Sequence, residues 1–101
     1  MNPLAINRLV LSATLVERQA LRYTPAGLPA LNLSLRHEGL VSEDGQARKI
    51  SLEIKSVGIG AITQQLASLG LGESGLFTGF LAPGRNGRGM TFHITTVEVQ
   101  A

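Results

Sequence analysis

A period of two governs most of this chain, and no other feature of the sequence restricts its fold as much. Leu9, Leu11, Ala13 and Leu15 share one phase, with Val10, Ser12 and Thr14 on the other. Leu31, Leu33 and Leu35 alternate with Asn32, Ser34 and Arg36, and Ile50, Leu52 and Ile54 with Ser51, Glu53 and Lys55. Met90, Phe92 and Ile94 alternate with Thr91, His93 and Thr95. Successive side chains of a strand point to opposite faces, so each stretch reads as a strand with one face turned to a core. Residues 76–81 are apolar on both phases apart from Thr78 and Gly79, which reads as a strand covered on both sides. After Ile94 the apolar phase switches to Val97 and Val99, and the switch predicts a bulge near Thr95-Thr96.

One segment departs from that period. Ile59, Ile62, Leu66 and Leu69 recur every three or four residues, which predicts a short amphipathic helix over about residues 60–69 with Gly70 at its C-cap. Thr24-Pro25-Ala26-Gly27 joins the first two strands, with proline presetting φ and glycine accepting positive φ. Ser42-Glu43-Asp44-Gly45 joins the second and third strands, and residues 83–89 join the last two with Asn86-Gly87 at the tip, a hairpin signal. No repeat or linker divides the chain, so residues 1–101 are expected to form one domain. The expected class is all-β. Five strands with one short helix between strands 3 and 4 is the order of an OB-fold, a small partly open barrel that often binds oligonucleotides or oligosaccharides; other small β-barrels with a helix stay open, because periodicity does not fix strand pairing. Fold by itself assigns no function.

Composition narrows the choices. Apolar residues are 44% of 101, enough for a packed core in a chain that buries about two-thirds of its extended surface. The absence of cysteine excludes disulfides, thiolate catalysis and the usual ligands of structural zinc. The longest charge-free run, residues 56–72, carries four glycines and five polar side chains, whereas a membrane span needs about 20 mostly apolar residues. The first residues lack a basic stretch and Arg8 interrupts the apolar run behind them, so no export signal is expected and a cytoplasmic protein fits. Nine basic against seven acidic side chains leave +2, so the placement of charge decides more than its total.

Some segments are familiar as residues. Asn7-Arg8-Leu9-Val10-Leu11-Ser12-Ala13, Arg22-Tyr23-Thr24-Pro25-Ala26-Gly27 and Leu31-Asn32-Leu33-Ser34-Leu35 resemble the opening of bacterial single-stranded-DNA-binding proteins. Gly79-Phe80-Leu81 and Val97-Glu98-Val99 are similar to that family's last two strands. The chain ends at Ala101 without that family's acidic-tipped extension. With Leu35-Arg36-His37-Glu38 in the second strand and a glycine-rich basic last hairpin, it more closely resembles the primosomal replication protein N family. That resemblance implies a homodimeric OB-fold adaptor of the replication-restart primosome, non-catalytic and without a cofactor. It would bind single-stranded DNA and the restart helicase, stabilise that helicase at a repaired fork, and promote reloading of the replicative helicase with other primosome components.

The same resemblance carries contact residues over in part. Arg48 and Lys49 match the family's basic element between strands two and three, while Gln46 and Ser51 stand where aromatic side chains are expected. The last hairpin offers Arg85 and Arg88 where the family is lysine-rich, inside a stretch, residues 74–97, that holds no acid. Arginine forks and backbone N–H groups on a glycine-rich hairpin suit a phosphate backbone; the alternative is a hairpin with its cations in water. Arg36 and Lys55 lie on outward phases of neighbouring strands and, with Arg48 and Lys49, make a candidate cationic stripe, offset by Glu38 and Glu53. Arg22 and Tyr23 stand beside the first turn, where Tyr23 either stacks on a base or covers the barrel end beneath Pro25. Phe80 and Phe92 are expected in the core, and Phe77, on the opposite phase from Phe80, is a base platform, a dimer contact or, the favoured reading, buried in a two-sided strand. Val10 and Val16, apolar on the outward phase of the first strand, are candidates for pairing across a two-fold axis.

Enzymatic chemistry finds no constellation. His37 and Glu38 are neighbours on a strand and point to opposite faces, His93 is isolated, and Asp44 sits in a turn. Two histidines without a spaced ligand set do not make a metal site, and Gly58-x-Gly60 has neither a third glycine nor a P-loop lysine. Two rivals stand beside the adaptor: a protein-docking module for which DNA contact is incidental, and a short tetrameric paralogue of the single-stranded-DNA-binding proteins.

Overall fold

The computed structural model describes residues 5–100, apart from the side chain of Arg85. Residues 1–4 and Ala101, on which the readings of the chain's start and end rest, lie outside the described residues. The elements run β1 (Leu9–Arg18), β2 (Arg22–Tyr23), β3 (Pro29–Glu43), β4 (Gln46–Ile59), α1 (Ile62–Ser68), β5 (Ser74–Pro83) and β6 (Met90–Val99). The sheet order β1-β5-β6-β4-β3-β2, with β1 also paired to β3, closes five long strands into a barrel. The helix falls between β4 and β5, so the OB-fold expectation holds. No helix among the described residues is long and apolar enough to cross a membrane.

The interior is aliphatic with two aromatic rings. Leu15, Leu35, Leu66, Phe77 and Phe92 are fully buried, and Leu31, Leu33, Leu69 and Ile94 pack with them. The alternating residues of four strands thus meet one another, each buried Leu or Phe contributing about 1.5–3 kcal/mol of transfer free energy. Phe77 is buried as expected, but Phe80 is not: it faces outward and is 39% exposed. Residues 75, 77 and 79 point inward along β5, so Phe80, three positions from Phe77, falls on the outer surface.

The phase switch after Ile94 is a bulge. Thr78 pairs with Thr96 while Gly79 pairs with Ile94, which leaves Thr95 as the extra residue, its hydroxyl donating to the Thr78 carbonyl at 3.1 Å. Here β6 crowds β5 so closely that a Cβ at Gly79 would collide with the His93 carbonyl oxygen. A second bulge in β1 makes Val16 the unpaired residue, because Leu15 pairs with Leu35 and Glu17 with Ser34.

Two strand boundaries differ from the expectation. The second and third strands extend far past their alternating cores, from Ala30 opposite Ile59 to Glu43 opposite Gln46, and only Asp44-Gly45 turns the corner. Both turn residues have positive φ, 52° and 74°, the geometry of a tight two-residue hairpin. The outer half of this hairpin leaves the barrel, so residues 41–49 are exposed on both faces and carry no apolar rhythm to read. The short β2 was also invisible, since two residues show no period; Arg22 pairs with Ala30 and Tyr23 with Pro29. The turn between them is as expected, Gly27 donating to the Thr24 carbonyl at 2.8 Å with φ of 84°.

The helix closes one end of the barrel by inserting Leu66, with Leu69 just beyond it. Gly70 is not its left-handed C-cap: Leu69 is already extended, and the Gly70 N–H donates to the Glu73 carboxylate at 2.6 Å. The left-handed residue is Gly72, with φ of 88°. In the last hairpin Asn86 and Gly87 both take positive φ, inside a longer loop closed by the Gly84 N–H on the Gly89 carbonyl at 3.0 Å.

Candidate nucleic-acid interface

An open groove of about 1100 Å³ crosses the barrel between the β2–β3 hairpin and the loop after Pro83. Its floor is the outward phase of β3 and β4, where Asn32 pairs with Val57 and Ser34 with Lys55. Val57 in turn pairs with His93 across the parallel contact that closes the barrel, and His93 pairs with Phe80. Asn32, Val57, His93 and Phe80 therefore form one row across four strands, perpendicular to the strand direction. At its far end the rings of Phe80 and His93 stack, with centroids 4.9 Å apart and planes inclined by 13°.

Three of the cations read from the sequence come together here. Arg22 reaches the groove from β2 and donates from Nε to Asn32 Oδ1 at 2.8 Å, Lys55 rises from the floor, and Arg88 stands on the opposite rim. Glu17 is the one acid among the lining residues. Arg85 belongs to the same loop as Arg88, but its side chain lies outside the described residues.

The remaining candidates lie elsewhere. Arg36 shares the outward face with Lys55 but is bridged to Glu53 at 2.8 Å, a contact that raises the affinity of its guanidinium for its proton through the hydrogen bond first and the carboxylate charge second. Arg48 pairs with Val41 and so points to the opposite face of the arm from Lys49, and it meets Glu43 at 2.5 Å. The expected stripe of Arg36, Lys55, Arg48 and Lys49 is thus divided by the pleat and by two exposed ion pairs. Tyr23 is 67% exposed and covers no barrel end. Val10, 46% exposed, pairs with Thr78, whereas Val16 is the half-buried bulge against β3, about 20 Å along the strand. They do not form one patch.

Sequence reasoning missed Asn32, and it placed Phe80 wrongly. The available signal was that Gly75 and Gly79 share a phase with Phe77: glycines mark the side on which another strand crowds in, which leaves Phe80 outside. Nothing local marked Asn32 as the acceptor for Arg22. Among the described residues, no group of three His, Asp or Glu side chains is placed to hold a metal ion.

A family model described as another single-strand binding protein family matches residues 7–96. The replication restart protein PriB of Bordetella pertussis is 48% identical over 80 residues, covering 79% of this chain and 75% of that protein. The chain belongs to the PriB family. The PriB structure from Ralstonia solanacearum superposes with a TM-score of 0.88 at 40% identity, covering 96% of this chain and 100% of the other. A PriB chain is also close to the wider single-strand-binding fold: the SSB domain of a Synechococcus protein gives a TM-score of 0.71 at 27% identity, over 92% and 94% of the two chains. The family is described by single-strand binding and its curated members as replication restart proteins, and this chain, as a member, is not an enzyme.

Proposed function

We propose that this protein is a non-catalytic single-stranded-DNA-binding adaptor of bacterial replication restart, and that the groove between β2 and the β5–β6 loop is its DNA site. One observation carries the reading: Arg22, Lys55 and Arg88, distant in sequence, line one concave surface with a single opposing carboxylate. The surface combines the central strands and flanking loops that OB-folds use for oligonucleotides. As an adaptor, the protein binds the restart helicase at a stalled or repaired fork, stabilises it there, and promotes reloading of the replicative helicase with the loading components of the primosome. It acts as a homodimer in the cytoplasm, with exposed Val10 near the two-fold axis.

Fluorescence-anisotropy titration of a labelled single-stranded oligonucleotide at two salt concentrations, with and without the restart helicase, tests this reading. Neutralising about 3–4 phosphates gives a log–log salt slope near −2 to −3 for a single strand. Salt-independent binding, or none, overturns the DNA site.

The protein-docking reading has its own support in the projecting hairpin. Leu40 is 75% and Val41 47% exposed there, and Arg48, opposite Val41, is already paired with Glu43. Helicase binding that survives alanine at Arg22, Lys55 and Arg88 together would favour docking over DNA as the principal activity.

A further inference from the structure

The stacked pair of Phe80 and His93 has no role in the fold's interior. Phe80 lies outside the core cluster with 39% of its surface exposed, and His93 lines the groove. The pair is nevertheless ordered on three sides. Its register is set by Phe80 opposite His93, its backbone is pinned by the adjacent Thr95 bulge, and the segment before β1 is clamped alongside. That clamp is Asn7, whose amide donates to the Leu81 carbonyl at 2.6 Å and accepts from the Leu81 N–H at 2.9 Å, imitating one rung of a β-ladder. Leu9 pairs with Gly79 and turns inward, so Arg8 takes the outward phase at the register position of Phe80. An aromatic pair with an exposed ring and a neighbouring cation stands at the end of a row that begins at Arg22 and Asn32.

We infer that Phe80, held in place by His93, is a nucleobase-stacking platform, and that Arg8 takes the phosphate next to that base. The inference rests on the DNA-binding reading of the groove and extends it: the strand leaves the groove over His93 and crosses β5. An aromatic ring offers a face to any base, so the subsite is tolerant of sequence. Phosphates in the groove and a base on the ring are separate contacts, and they separate experimentally.

The test is Phe80→Leu, which keeps apolar volume at an exposed position, against Phe80→Trp, which keeps a ring. Binding is measured with a labelled 15-nucleotide dT strand and with the same length of abasic backbone. Phe80→Leu should weaken binding to dT by roughly 5- to 150-fold with the salt slope unchanged, and Phe80→Trp should restore it. On the abasic strand the two variants and the parent protein should bind alike. Arg8→Ala should instead reduce the slope by about 0.7. Equal dT binding by Phe80→Leu and the parent overturns the platform even where the groove variants still lose affinity, which leaves the DNA site standing. A change of mass in sedimentation for Phe80→Leu, with dT affinity intact, makes Phe80 a subunit contact and overturns it too. A parent protein that binds neither strand removes the DNA reading and the platform together.

Discussion

Arg22 donates from Nε to Oδ1 of Asn32 across the β2–β3 pairing at 2.8 Å. The bond uses one of the five guanidinium N–H groups and tethers the side chain in the lining of the groove. Asn32→Ala removes the tether and leaves the charge. Affinity for single-stranded DNA should fall several-fold while the salt slope stays as it was, because a phosphate contact has lost orientation rather than charge. Arg22→Ala should lower affinity and also flatten the slope by about 0.7, and anisotropy at four salt concentrations distinguishes the two.

The two exposed groove cations make a complementary case. Lys55 and Arg88 are exposed and hold no carboxylate within bridging distance among the described residues. Replacing both by alanine should flatten the slope by about 1.4 and leave stability within about 0.5 kcal/mol of the parent. An unchanged slope, with melting also unchanged, would place the DNA away from this groove.

Glu53 holds Arg36 in an exposed ion pair at 2.8 Å. The ion pair raises the guanidinium's affinity for its proton, so the stability it contributes is fully present below the unfolded value and is lost only as pH climbs through the still higher folded one. Arg36 is therefore cationic at every pH at which DNA binding is measured, and Glu53→Gln acts by releasing it, not by changing its protonation. Tighter DNA binding with a slope steeper by up to about 0.7 is the expected result if the strand runs along this face. No change would confine the DNA to the groove beyond Lys55.

Gly79 is the position where a methyl group does most harm. Its Cβ would strike the carbonyl oxygen of His93, a backbone atom that cannot rotate away. Gly79→Ala should cost about 3 kcal/mol, lowering the melting temperature by more than about 10 °C in a domain of this size. Gly45→Ala meets no neighbour and pays only for positive φ, about 1 kcal/mol. Thermal unfolding followed by circular dichroism compares them directly, and equal losses would mean that the bulge relaxes to accept the methyl.

Much of the barrel is legible because its instructions are local. Leu31, Leu33 and Leu35 point inward as their spacing requires, the phase switch after Ile94 marks the bulge at Thr95, and Pro25 and Gly27 form the turn their backbones favour. The projecting hairpin escaped because residues beyond the barrel bury neither face and have no rhythm. Phe80 escaped for a different reason: an apolar residue on a strand apolar on both phases has no marked side until its neighbours are known.

What the sequence determined by itself was which faces are apolar, where the chain turns and that a helix interrupts the strands, since each follows from nearest neighbours along the chain. What only the tertiary structure decided was which charges and rings share a surface. Arg22, Lys55 and Arg88 meet because β4 and β6 close the barrel through Ser56 and Val57, a contact between strands far apart in sequence. The register of the β5–β6 hairpin sets His93 against Phe80, while Arg36 and Arg48 are taken by carboxylates on the adjoining strand. Spacing along one strand records the pleat; it holds no record of the register with which distant strands come together.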